Sequence, residues 1–114
     1  MNVIPEREHI AVAEDSAADF ALVMADDAMA PLFPRGSSVQ IQRRALLRDG
    51  DLGLFFVDGR VLLRQYCEDY SGAVYLFVLN RRLSRLDMRI PRSQGPVCCF
   101  GRVPLDSPPP MPEA

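Results

Sequence analysis

Few side chains in this sequence can do covalent or acid–base chemistry, and their spacing does not favour it. The thiols are Cys67, Cys98 and Cys99, an odd number with no C-x-x-C spacing. A zinc site would need all three plus the single histidine, His9, so metal binding is not expected and buried, reduced thiols are. Cys98 and Cys99 are neighbours in an apolar run, where strand alternation would turn one thiol to the core and the other outward. Ser37 and Ser38 follow a turn but have no base at a workable spacing, and His9 lies near the chain start. All 13 basic residues are arginine, and there is no lysine. A guanidinium stays protonated at any relevant pH, so no lysine-type general base or Schiff-base amine exists here. Nothing in these residues asks for a cofactor.

The elements that would position such groups are short. At 114 residues the chain has room for one small domain. Its 48% hydrophobic and 25% charged residues are ordinary for a globular protein. A net charge of -2 offers no basic field to a nucleic-acid backbone. No apolar run approaches the roughly 20 residues that cross a bilayer. The first fifteen residues carry Glu6, Glu8 and Glu14 and lack a signal-peptide pattern, so a cytoplasmic location is the expectation.

Apolar residues alternate or cluster in seven short runs that read as strands: 20–25, 38–42, 53–57, 60–66, 73–79, 86–90 and 97–103. Asp58-Gly59 suits a two-residue type I′ hairpin, and Ser71-Gly72 gives a second hairpin signal of the same kind. One helical turn is expected over 27–33, stopped by Pro34, with a weaker helix candidate at 14–19. The pattern predicts an all-β barrel or sandwich. Residues 1–19 are expected to be a partly flexible segment, 20–105 the folded domain, and 106–114, with four prolines in nine residues, a disordered or extended tail.

The run 22–31, LVMADDAMAP, resembles the nucleophile motif of the LexA and phage-repressor self-cleaving peptidases, with Asp27, Met29 and Pro31 on matching positions. Further similarities follow in order. Pro34-Arg35-Gly36 and the strand after it resemble the turn and strand following the nucleophile. Arg48-Asp49-Gly50-Asp51 resembles the family's Asp-Gly-Asp turn, and 57–64, VDGRVLLR, resembles the hairpin that ends in the catalytic lysine. Gly101-Arg102-Val103 resembles the closing strand. The resemblance spans about 20–105 and implies a LexA- or signal-peptidase-like, barrel-type β domain with a short helical turn after the first motif strand.

The family's chemistry is a serine hydroxyl activated by a neutral lysine, whose pKa is lowered by apolar burial. By resemblance, the nucleophile position here holds Ala28 and the base position Arg64, 36 positions apart. A methyl group cannot attack a carbonyl, and a guanidinium will not accept a proton from serine. The glycine before the motif aspartate is replaced by Asp26, which holds a tight turn less easily. An engineered serine-to-alanine change would explain Ala28 but not Arg64 or the absent lysines, so natural loss is the preferred reading. Asp26, Asp27 and Arg64 are expected to form an ion pair in place of the old dyad.

The 27 residues before Ala28 contain no Ala-Gly or Cys-Gly pair, so the family's cleavage segment is expected to be missing, as is its helix-turn-helix domain. The resemblance therefore implies a non-catalytic dimerisation or regulatory module of a transcriptional regulator, reaching DNA only through a separate N-terminal domain. The alternative is a self-cleaving serine–lysine peptidase, or a signal-peptidase relative, seen as an inactive variant. The family's dimer contact is resembled by 96–105, so a homodimer through Val97, Cys98, Cys99 and Phe100 is expected. No membrane partner is expected.

Overall fold

The computed structural model describes residues 19–43 and 46–112; the helix candidate at 14–19 lies, apart from Asp19, outside them. Each of the seven runs overlaps one strand, with the third strand beginning one residue before its run and the fourth ending two residues after. β1 (Phe20–Val23) and β2 (Ser38–Ile41) form an antiparallel pair with Phe20 opposite Ile41. β3 (Leu52–Val57), β4 (Arg60–Glu68), β5 (Val74–Phe77), β6 (Met88–Ile90) and β7 (Cys98–Arg102) form a second antiparallel sheet. Its order is β6-β5-β4-β3-β7.

The fold is all-β, but its sheets do not close into a barrel. Among the described residues β6 pairs only with β5, and β7 has one full neighbour, β3. The two sheets meet through one backbone bridge, Gln42 to Arg102. That approach depends on Gly101: a β-carbon there would lie 2.9 Å from Ile41 Cγ2 and closer still to the Gln42 carbonyl.

Alternation along the strands sorts the apolar side chains into two clusters. The larger joins Phe20, Met24, Met29, Val39 and Ile41 to Leu52, Leu54, Leu63 and Val103. The smaller centres on Phe55, Leu76 and Ile90, with Leu47, Tyr66, Val74 and Val97 at its edge. Fully burying a side chain of this size contributes roughly 1.5–3 kcal/mol.

The β3–β4 hairpin has the expected geometry, with φ of 49° at Asp58 and 78° at Gly59. The β4–β5 connection differs from its expected two-residue form. Asp69 N–H donates to the Ala73 carbonyl and Gly72 N–H to the Asp69 carbonyl, enclosing a three-residue loop with Gly72 at φ 85°. The Asp69 side chain organises that loop by accepting from Ser71 Oγ at 2.6 Å, from the backbone of Ser71 and Ala73, and from Tyr75 Oη at 3.0 Å.

One further expectation is corrected. Residues 27–33 turn without forming a helix: Met29 and Phe33 make an antiparallel bridge, and Pro31 has no N–H to extend a helical ladder. Among the described residues, 3-10 helices stand at Arg81–Leu86 and Arg92–Gln94. The proline-rich segment, expected to be disordered or extended, runs without helix or strand along the sheet as far as Pro112. Pro108 sits against Gly50, and the Pro109 carbonyl accepts a 2.7 Å hydrogen bond from Gln65 Nε2. Gln65 is a fully buried residue of β4, which gives the tail a polar anchor that composition alone does not reveal.

Candidate functional site

β1 carries the chain into the motif run, where side-chain carboxylates fix the turn. Asp26 Oδ1 accepts from the Ala28 N–H at 3.0 Å, and Asp27 Oδ1 accepts from the Arg35 N–H at 2.9 Å. Asn80, after β5, clamps the same turn from the other side. Its N–H donates to the Ala28 carbonyl at 3.0 Å and its Nδ2 to the Asp27 carbonyl at 3.1 Å. Asn80 also caps the following 3-10 helix by accepting from the Arg82 N–H. The trace this residue leaves in the sequence is local: an asparagine just ahead of a short helical segment is a cap signal.

Ala28 and Met29 are fully buried, whereas Asp26, Asp27 and Pro31 are exposed. Met29 is a core residue of the larger cluster. Asp26 needs no left-handed backbone, because Asp58 is the one non-glycine residue with positive φ among those described. The glycine expected at this place in the family is thus dispensable here.

Arg64 lies in β4 opposite Gly53, and only 5% of its surface is exposed. Its Nη1 donates to the Leu63 carbonyl at 2.9 Å, while its buried Nε has no partner. The expected ion pair with Asp26 or Asp27 is absent: the ion pairs among the described residues are Arg81–Asp87 and Arg102–Asp51. The reason is that each nearby carboxylate is engaged elsewhere, Asp26 and Asp27 on the turn's backbone and Asp87 on Arg81 and the Val78 N–H. Burial lowers the pKa of the Arg64 guanidinium, and Asp26 at longer range opposes that shift. A guanidinium still cannot serve as a base near neutral pH.

Asp26 and Arg64 do share one groove of about 350 Å³. Its remaining walls are Leu22, Val23, Met24 and Ala25 from the β1 side and Leu54, Val61, Leu62 and Leu63 from β3 and β4. Val61, Leu62 and Leu63 thus give the groove an apolar wall, and the motif turn and the end of the lysine-type hairpin face a common space. Ser37 is remote in role: its hydroxyl donates to the Pro34 carbonyl inside its own turn. His9 lies outside the described residues.

The thiols are not buried as expected. Cys67 is half-buried, and Cys98 and Cys99 are both exposed, because β7 is an open edge. Cys99 pairs with Phe55 and faces a cleft of about 590 Å³ between Leu47, Phe55, Val74, Ile90 and Val97. Cys98 pairs with Phe56, whose ring centroid is 6.5 Å from that of Phe100. Although the residue is exposed, its sulfur turns back to the Gly101 carbonyl, and the partial desolvation there raises the Cys99 thiol pKa, which argues against a reactive thiolate. No group of three or more potential metal ligands stands together among the described residues, and no helix there is long and apolar enough to cross a membrane.

A fold of two small antiparallel sheets, a motif turn buried at the end of its first strand, and a strand-borne cation sharing its groove define a peptidase-like β domain. The sequence profile of the Peptidase S24-like family matches residues 3–103, and the chain belongs to that family, which includes the C-terminal domains of LexA and phage repressors. No curated protein matches the chain.

Proposed function

We propose that this chain is the non-catalytic dimerisation and regulatory domain of a LexA-type or phage-repressor-type transcriptional regulator. The observation that carries this reading is Arg64: a buried arginine stands at the base position, in the same groove as the motif turn whose nucleophile position is the buried methyl of Ala28. The scaffold of the family site is kept while both reactive groups are replaced. Such a domain would serve its regulator by assembly, because two-fold symmetric operators require a two-fold symmetric protein.

The open edge of β7 supports a surface for that assembly. Cys98 and Cys99 are exposed there and Phe100 is half-buried, in a strand whose outer backbone groups lack a full neighbouring strand. Unpaired edges of this kind invite a second chain. DNA would be reached through a separate N-terminal domain.

Sedimentation velocity on the wild type and on Phe100→Glu tests the assembly. A wild-type dimer that becomes a folded monomer in the variant is the expected result. A wild type that stays monomeric at high concentration, or a variant dimer of unchanged strength, would overturn the assignment of the interface to β7.

A further inference from the structure

We propose that the groove between the motif turn and β4 is a receptor for a carboxylate carried on an aliphatic body, with Arg64 as the carboxylate's partner. The inference rests on the non-catalytic reading of the same site and adds a ligand class to it. Arg64 is about nineteen-twentieths buried, has no contact ion pair, and leaves Nε without a hydrogen-bond partner. A buried cation in this state is costly, since neither its charge nor its donors are fully compensated. A carboxylate in the groove that Arg64 lines would compensate the charge, and a planar two-oxygen acceptor is the partner a guanidinium matches best.

The charges around the guanidinium favour one negative charge and no more. Asp87 is already neutralised by Arg81 through two hydrogen bonds of 2.8 and 3.0 Å. That leaves Arg64 and the exposed Arg60 set against Asp26 at the groove wall, a local excess of one positive charge. Asp26 would repel a dianion, so a monocarboxylate fits better than a phosphate. The rest of the wall is aliphatic: Leu22, Val23, Leu54, Val61, Leu62 and Leu63. Val23 is 47% exposed, apolar surface that a chain or side chain of the ligand would cover. Two sources share this chemistry, a free aliphatic acid and the C-terminus of an apolar peptide.

The test is a titration of the ¹⁵N-labelled chain with octanoate and with acetyl-Val-Leu, each beside its amide, followed by backbone amide shifts. Saturable shifts centred on β1 and the Val61–Arg64 stretch are expected for an acid and not for its amide. Octanoate alone would identify a free acid as the source, and the peptide acid a chain terminus. Arg64→Met should weaken binding by about tenfold or more, the scale of one lost charge-assisted hydrogen bond. Asp26→Asn should strengthen it. Equal binding of acid and amide, no saturable shift with either acid, or undiminished binding by a folded Arg64→Met overturns the proposal. If Arg64→Met does not fold, the acid-against-amide comparison on the wild type decides alone. Self-cleavage by a parent chain would instead sink the non-catalytic reading and leave the binding result standing.

Discussion

Gln42 and Arg102 exchange both of their backbone hydrogen bonds, at 2.8 and 3.0 Å, and this one pair couples the two-stranded sheet to the edge of the five-stranded sheet. Beside it, Arg102 Nε donates to Gln42 Oε1 at 3.2 Å. The larger core cluster lies between the sheets that this bridge holds, so the bridge positions β1 and the motif turn over β3 and β4.

Gly101→Ala should therefore damage the whole domain and not just β7. The added methyl would meet Ile41 and the Gln42 carbonyl, a rigid backbone atom that cannot swing aside. Overpacking of this kind costs about 1–3 kcal/mol. Urea unfolding should show that loss, and a change below about 0.5 kcal/mol would mean that the sheets meet differently.

The tail and Gln65 should behave as one unit. Gln65 Nε2 donates to the Gly50 and Pro109 carbonyls, at 3.1 and 2.7 Å. Gln65→Leu removes both bonds and should cost about 1–3 kcal/mol. Truncation after Leu105 should cost a similar amount, and the two changes together less than their sum. Strict additivity in a double-mutant cycle would show that the tail does not lean on Gln65.

Acid should loosen the β4–β5 loop. The Asp69 carboxyl is held at about 2, below its ordinary 3.8, first by the Ser71 hydroxyl and then by Tyr75 and the loop N–H groups. A depressed carboxylate contributes stability that is full above the unfolded value and is lost as pH falls through the folded one. The loss thus belongs to the window from about pH 4 to pH 2, and Asp69→Asn should remove that part of the pH dependence. An NMR titration of the Asp69 carboxyl with a midpoint near 4 would contradict the loop geometry.

On the non-catalytic reading, a serine supplied at position 28 alone should not produce reactivity. Ala28→Ser gives a hydroxyl without a base, so a fluorophosphonate should not label it at any pH that the fold survives. Ala28→Ser combined with Arg64→Lys supplies an amine that apolar burial can keep neutral, and labelling should rise toward alkaline pH. Labelling of the single variant at the rate of the double would show that Arg64 does not block the chemistry.

The strands were legible because alternation and turn residues are local signals. Asp58-Gly59 marked a hairpin whose φ angles follow from those two residues alone. The motif order also pointed to the groove, whose lining draws on the 22–31 run and the 57–64 hairpin. What stayed hidden depends on contacts distant in sequence. Asn80 reaches the motif turn across 53 positions, and Pro109 meets Gln65 across 44. The Arg81–Leu86 helix is short and has no buried residue, so it leaves no apolar period to read. The thiol expectation failed because burial in a strand depends on whether a neighbour covers it, and β7 is an edge. The ion pair expected of Arg64 failed because the turn's backbone had already claimed Asp26 and Asp27.

The strap formed by 108–112 also gives the domain a mechanical order. It is anchored on β4, the middle strand of the larger sheet, while the chain just ahead of it runs through the edge strand β7. A load hung on the C-terminal side reaches the Pro109–Gln65 bond and the seat of Pro108 on Gly50 before it reaches β7. Those contacts would yield first and the Gln42–Arg102 bridge next, after which the rest of β7, held along one side, would peel from β3 one rung at a time. A handle attached there would feel a graded, low resistance in place of a single abrupt rupture.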